Sequence, residues 1–563
     1  MMKTKSYIGE RFKELRNLTR DPLVLVLVIF CFVLLAATVI YPLVSVLRES
    51  ALDDTGVFVG FGNYIAFFGN PYFRQVLYNT LLISTLATLG ALLVGTVFGF
   101  AITRTTVPFK PLFMITAILP MITPPFVNAF AFILLLGRVG VINVFLQKHF
   151  GFKFIIYGWH GIVISQIITT FPLAFLVTTA AFSSFDTALE DSAQDLGARY
   201  SRVFRTITLP LITPALMAAS LLIYMTNLSA FGAPALLGGG LSVLSVEAVM
   251  QTLGVMDWGM GTTISIILLI PSFLLFYFQG VYRSKRSYVT VTGAPTHAEV
   301  RPTPGIIKWS LFAFLSLVSV IVFVLYLVIF AGGFAKVWGV DSSFTLSHYR
   351  LIFANTGRSI INSLWMSSAG AVGAALIGLV IAYLIERKTF FGRKIMDFVG
   401  MLPYAVPGTM MGLGLVLAFN RPPLILTGTA FILLLDYTIR RMPFGLRTGV
   451  STLKQIDVAF EEASSDLGAT WGTTFRKIIL PLLKPAFIAG VTFAFIRAIT
   501  ELTSTIFLVT PRWRVMAVDI YNFVEAGSLG MAAAMSSLLM LMVIVIIALF
   551  YKFTGATATM FRM

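Results

Sequence analysis

The chain has 563 residues, of which 58% are hydrophobic and only 12% charged, and its mean hydropathy is +0.90. Soluble domains carry about 25% charged residues, so water is not the main solvent of this chain. The 41 Lys+Arg against 24 Asp+Glu give a formal net charge of +17, which in a soluble domain would suggest nucleic acid. Here the excess sits in short loops between apolar runs, the pattern of a cytoplasmic membrane face, and nucleic acid is not expected as a partner.

Lys3, Lys5, Arg11, Lys13, Arg16 and Arg20 precede the first apolar run. That run is too long for a signal-peptide core and has no small-residue cleavage site, so it is expected to stay in the mature protein. Its Cys31 is the chain's single cysteine, which excludes an intramolecular disulfide or a cysteine metal cage. One helical crossing of the hydrocarbon core needs about 20 apolar residues. Such runs fall near 22–47, 78–103, 110–137, 158–183, 210–236 and 261–282, then near 307–331, 361–385, 395–419, 424–445, 481–508 and 530–553. The pattern predicts an all-α integral membrane protein of about 12 transmembrane helices, with both termini cytoplasmic. Basic clusters at 283–286 and 387–394 mark the inner side, whereas loops with Glu49, Asp53, Asp54, Glu247, Asp257, Asp519 and Glu525 face outward.

The run RSKRSYVTVTGAPTHAEVRPTPG is polar and rich in Pro, Thr and Gly, as a linker is. It divides the chain into a first half at 1–285, a cytoplasmic linker at 286–306 and a second half at 307–563. The halves repeat one another. Asn79 and Asn362, Arg104 and Arg387, and Pro120 and Pro403 are each 283 residues apart, and from Pro172 and Pro443 onward the offset becomes 271. The first half therefore gains a longer outward loop. Two six-helix repeats in the same chain order are parallel, related by an axis normal to the membrane.

The clearest repeat lies between spans on the basic side. Residues 190–215 read EDSAQDLGARYSRVFRTITLPLITPA, and residues 461–486 read EEASSDLGATWGTTFRKIILPLLKPA, without a gap. Each predicts two short helices joined at Gly197 or Gly468, since glycine readily takes the positive φ that ends a helix. Pro210 and Pro481 fit the first turn of a following membrane helix.

At these residues the chain resembles the inner-membrane permease subunits of binding-protein-dependent ABC importers. Their cytoplasmic EAA loop reads E-A-A, three residues, G, then about nine residues before I-x-L-P. Asp191-Ser192-Ala193 and Glu462-Ala463-Ser464 hold the EAA positions, and the first copy departs from the pattern at Asp191 and Ser192. The resemblance implies that Glu190, Asp191, Asp195 and Gly197, with Glu461, Glu462, Asp466 and Gly468, couple the chain to an ABC ATPase dimer on the cytoplasmic side. It also implies an extracytoplasmic substrate-binding protein as partner and a multi-pass location in a bacterial inner membrane.

No Gly-Lys dipeptide occurs in the chain, so it lacks the phosphate-cradling G-x-x-x-x-G-K-[ST] loop. It is therefore expected not to be an enzyme and to hold no cofactor, with ATP and magnesium bound by the partner ATPase. An ion-coupled carrier would usually show intramembrane acids, and few occur. The clearest is Glu501, four residues after Arg497. Three roles remain open: a self-contained Arg497–Glu501 pair, pathway lining, or proton coupling. Asp436 and Arg440 share that spacing and read as a structural pair.

His149, His160, His297 and His348 show no paired ligand spacing, and no metal site is expected. Pro124-Pro125, and Pro403 and Pro407 with Gly408, Gly412 and Gly414, fit either opened backbone along a pathway or close helix packing. The fused arrangement, GAPALLGG at Gly232 and TELTSTIFL at Thr500 look most like ferric-iron permeases. The same branch includes importers of thiamine, 2-aminoethylphosphonate and polyamines.

Overall fold

The computed structural model describes residues 22–53, 55–184, 188–285 and 303–554. The basic N-terminal cluster, most of the 286–306 linker, His297 and the C-terminal tail lie outside them. The regular structure among the described residues is helical apart from one antiparallel hairpin, Ala335–Val337 with Asp341–Phe344, and an isolated bridge between Leu52 and Phe58.

Ten helices among the described residues are long and apolar enough to cross a membrane, or eleven if a sharply bent pair counts as one span. Three of the expected runs take a different form. Run 110–137 divides into Lys110–Ile122 and Pro125–Leu136, with Thr123 extended at ψ 152°, because a residue before proline is driven out of the helical region. Run 395–419 divides into Arg393–Ala405 and Gly408–Phe419, bent by 111° at extended Val406 before Pro407. Run 424–445 becomes helical only from residue 430, in Ala430–Gln455, a helix carrying Asp436, Arg440, Arg441, Arg447 and Lys454.

The helices that follow the coupling segments also differ from expectation. Pro210 and Pro481 do not open a new rod. Each sits just after a π-helical turn, Phe204–Thr208 or Phe475–Ile479, that runs on into Leu209–Leu228 or Leu480–Ile499. A proline ring clashes with the carbonyl four residues back in a regular helix, and a wider turn relieves that clash.

The described residues form two compact units, and these cross the sequence halves. One holds residues up to 60, 356–518 and 542 onward; the other holds 61–355 and 519–541. In the first unit, the chain's first span, Pro22–Glu49, packs on second-half helices. Phe32 meets Phe390 edge-on at 6.3 Å, Tyr41 meets Phe419 at 6.1 Å, and a Cβ on Gly414 would lie 2.9 Å from the Pro42 carbonyl oxygen. In the second unit the first span of the second half, Gly305–Phe334, packs on first-half helices. Ser319 bonds Thr116 at 2.8 Å, Tyr326 bonds Thr123 at 2.7 Å, and Trp338 Nε1, just beyond that span, donates to the Leu134 carbonyl at 2.8 Å. Each half thus gives its first span to the other's unit.

Inside each unit one contact repeats. Helix Pro71–Arg104 packs on Trp159–Ser184, and Gly357–Arg387 packs on Ala430–Gln455. A Cβ on Gly95 would come within 2.6 Å of the Phe171 carbonyl oxygen, and one on Gly378 within 2.7 Å of that of Met442. Small residues at such crossings let helices approach closely where lipid supplies no hydrophobic drive.

Candidate functional site

The polar segments that begin at Glu190 and Glu461 form the two short helices and glycine hinge that their sequence predicts. Helix Ala188–Asp195 is followed by Gly197 at φ 84° and helix Tyr200–Val203; Ala459–Asp466 is followed by Gly468 at φ 78° and Trp471–Thr474. Nothing lies within 4 Å of a Cβ at either glycine. Backbone conformation alone therefore calls for glycine there.

The acids divide into two roles. Glu190 and Glu461 turn inward, each with 18% of its side chain accessible, and meet the arginine that ends an earlier span, Pro71–Arg104 or Gly357–Arg387. Arg104 Nη1 lies 3.6 Å from Glu190 Oε2, and its Nη2 donates to the Phe182 carbonyl at 2.7 Å. Arg387 Nε lies 2.9 Å from Glu461 Oε1, and its Nη2 donates to the carbonyls of Leu453 at 2.9 Å and Ile456 at 2.6 Å. Thr208 donates to Glu190 at 2.6 Å, and Tyr383 donates to Glu461 at 3.2 Å. Neither glutamate is a solvated helix-face acid. Both fasten the surface segment that carries them to the base of a span.

Asp195, Glu462, Asp466 and both glycines are exposed, and Asp191 is half-buried. Sequence reasoning missed the most prominent exposed side chains: Leu196 and Leu467, each 89% exposed directly before the glycine, with Leu189 and Phe460 exposed one helix length earlier. The available signal was the shared Asp-Leu-Gly-Ala, an apolar residue repeated in register within a polar segment.

The buried acids also differ from expectation. The intrahelical Arg497–Glu501 pair does not form, because the helix ends at Ile499 and Thr500 caps it. Glu501 pairs instead with Arg440 Nη1 at 3.0 Å and with Arg441. Arg497 lies over the Phe493 ring at 5.6 Å. Asp436 joins the group through Ser504, whose hydroxyl donates to Asp436 Oδ2 at 2.7 Å and accepts from Arg440 Nη1 at 3.0 Å. The expected Asp436–Arg440 pair is thus bridged by a serine. Gly408 lies against the clasp, since a Cβ there would come within 2.5 Å of Arg440 Nη1 and 2.7 Å of Thr503.

Among the described residues of the first half this clasp has no counterpart. At the 271 offset, Asp436, Arg440, Arg441 and Glu501 correspond to Ser165, Thr169, Thr170 and Ala230. Asn128 Nδ2 donates to Thr169 at 3.1 Å, a neutral contact where the second half holds charge. Among the described residues no group of three or more His, Cys, Asp or Glu side chains could hold a metal ion.

The family described as "binding-protein-dependent transport system inner membrane component" matches the chain twice, over residues 91–288 and 374–556. The chain belongs to this family. As an inner membrane component it is a multi-pass membrane protein of a transport system that works with a binding protein. Each matched stretch of the permease contains one coupling segment and its latch, whereas the two exchanged first spans lie outside both matches.

Two relatives of this permease cover most of its length. The ferric transport system permease protein FbpB of Actinobacillus pleuropneumoniae is 34% identical over 97% of this chain and 80% of its own length. The putative ferric transport system permease protein FbpB 1 of Haemophilus influenzae is 36% identical over 79% of this chain and 72% of its own. The putative 2-aminoethylphosphonate transport system permease protein PhnV of Salmonella paratyphi A is 26% identical over 38% of this chain and 81% of its own.

Proposed function

We propose that the chain forms the membrane pathway of an ATP-driven importer for ferric iron, powered by two ATPase subunits that dock on residues 190–215 and 461–486. The observation that carries this reading is the duplicated, latched coupling segment. A stroke delivered to a surface helix moves a span only if the two are mechanically joined. Glu190 with Arg104, and Glu461 with Arg387, make that join. Leu196 and Leu467 offer each ATPase an apolar knob at the tip of the hinge, which suits an anchor in a desolvated pocket. The ATPase holds the nucleotide and magnesium, and the chain does no hydrolysis of its own. In this reading there are twelve crossings, with the charged helix Ala430–Gln455 as one of them, and both termini are cytoplasmic.

Ferric iron as cargo is supported by relatives that align along most of the chain and carry a ferric-transport description, among them the two above. Fe³⁺ is a hard cation that prefers oxygen ligands, and it is the substrate here, not a resident cofactor. Uptake of radiolabelled iron, with thiamine and 2-aminoethylphosphonate as comparison cargoes, tests the assignment in cells with and without the chain. Iron uptake that depends on the chain supports it. Dependence confined to either comparison cargo overturns the assignment and leaves the importer class standing.

A further inference from the structure

Beyond the buried clasp, the segment that leaves helix Leu480–Ile499 continues to a short exposed loop, Pro511-Arg512-Trp513-Arg514. Its location follows from helix Gly357–Arg387. Arg387, at one end, latches the coupling segment. Asn362 precedes it by 25 residues, about 37 Å along a helix. The Asn362 amide donates to the carbonyls of both Arg512, at 3.3 Å, and Arg514, at 3.0 Å. The loop therefore lies at the end of the unit opposite the coupling segment, the outward side in the importer reading.

The loop is built rigidly and carries charge without a carboxylate partner. Trp513 meets Trp365 edge-on at 6.4 Å, and the Arg512 guanidinium lies over the Trp513 ring at 5.2 Å. Met516 N–H donates to Ser363 Oγ at 2.7 Å, fixing the exit from the loop. Both arginine side chains are exposed, and neither forms an ion pair among the described residues. Arginine on the outward face also runs against the inward bias of basic residues.

The first half repeats the scaffold and omits the charge. Asn79 Nδ2 donates to the Ser242 carbonyl at 3.2 Å, and Leu244 N–H donates to Thr80 Oγ1 at 2.8 Å. These bonds place Gly240, Leu241 and Ser242 where the second half has Arg512, Trp513 and Arg514, one residue out of the 271 register. The arginines are therefore not required by the loop's own fold.

We propose that Arg512 and Arg514 form a docking point for an acidic surface of the extracytoplasmic binding protein. Exposed charges at an interface rim mainly accelerate encounter and suppress wrong registers. A planar guanidinium fork also suits carboxylates better than an ammonium would. Glu501 lies eleven residues before Arg512 on the same segment, so a protein seated on this loop holds one end of the segment that closes the clasp. The proposal rests on the importer reading.

The test measures association of the source organism's purified ferric-binding protein with the full chain and its ATPase in nanodiscs. Arg512→Glu/Arg514→Glu, Arg512→Gln/Arg514→Gln and the wild type are compared, each in phosphatidylcholine alone and with phosphatidylglycerol added. The expected result is an association rate about tenfold lower for the glutamate pair, an intermediate loss for the glutamine pair, and a wild-type rate that falls as salt rises. Thermal unfolding should be unchanged, since the Asn362 bonds go to backbone. Equal rates for all three proteins overturn the proposal and leave the importer reading intact. A difference that appears only with phosphatidylglycerol also overturns it and assigns the loop to lipid headgroups. A wild type that recruits neither ATPase nor binding protein refutes the importer reading itself.

Discussion

Replacing Glu461 by Ala should detach the second coupling segment from its span. Glu461 Oε1 lies 2.9 Å from Arg387 Nε, and the two side chains are 18% and 8% accessible. Removing one partner of a fully buried pair costs about 3–5 kcal/mol, mostly from the charge left behind. Two features reduce that figure here. Arg387 keeps its bonds to the Leu453 and Ile456 carbonyls, and the pair is partly accessible. About 2 kcal/mol remains, which corresponds to a roughly thirtyfold rise in local opening, since 1.4 kcal/mol is tenfold. Opening of this kind is read by amide hydrogen exchange. In nanodiscs the amides of Ala459–Asp466 should exchange about thirtyfold faster, while those of Gly408–Phe419 should not change. Uptake should fall although the ATPase still binds. Glu461→Gln, which keeps a hydrogen-bonding partner for Tyr383 but loses the charge, should lie between. Unchanged exchange in Ala459–Asp466 would refute the latch.

Gly468 sits at φ 78° with open space around it, and a left-handed conformation costs an ordinary L-residue about 1–2 kcal/mol. Gly468→Asn, which tolerates that region, should therefore retain more uptake than Gly468→Val; equal loss in both would show that space and not φ decides. Glu501→Gln leaves Arg440 and Arg441 with only the serine-bridged Asp436 as counter-charge, so the melting temperature in detergent should drop by the equivalent of about 3 kcal/mol. An unchanged melting curve would mean that the clasp is not formed. Gly412→Leu places its first side-chain carbon 2.7 Å from the Ser504 carbonyl oxygen, an overpacking that typically costs about 1–3 kcal/mol. Hydrogen exchange should rise in residues 500–508 before it rises elsewhere.

Local rules made the repeat and its hinges legible, and tertiary partners defeated them. Gly197 and Gly468 were readable because only backbone conformation matters there. The shared register of Arg104 and Arg387 was visible too, but nothing local pairs Arg387 with a residue 74 positions later. The Arg497–Glu501 expectation failed because i, i+4 pairing assumes that the helix continues. The run Thr500-Glu501-Leu502-Thr503-Ser504, rich in hydroxyl side chains that compete for the backbone, marked where it stops. Pro124 and Pro407 announced the two broken runs through their effect on the preceding residue. The exchange of first spans between units left no mark in apolar runs that resemble one another.

Counting ATPase subunits on the chain tests the central claim most directly. Native mass spectrometry of the complex in nanodiscs should find two ATPase copies on the wild type, one when Leu196 or Leu467 is replaced by Asp, and none when both are. Two copies retained by the double variant, or none on the wild type, would contradict the assignment of residues 190–215 and 461–486 as the ATPase docking segments.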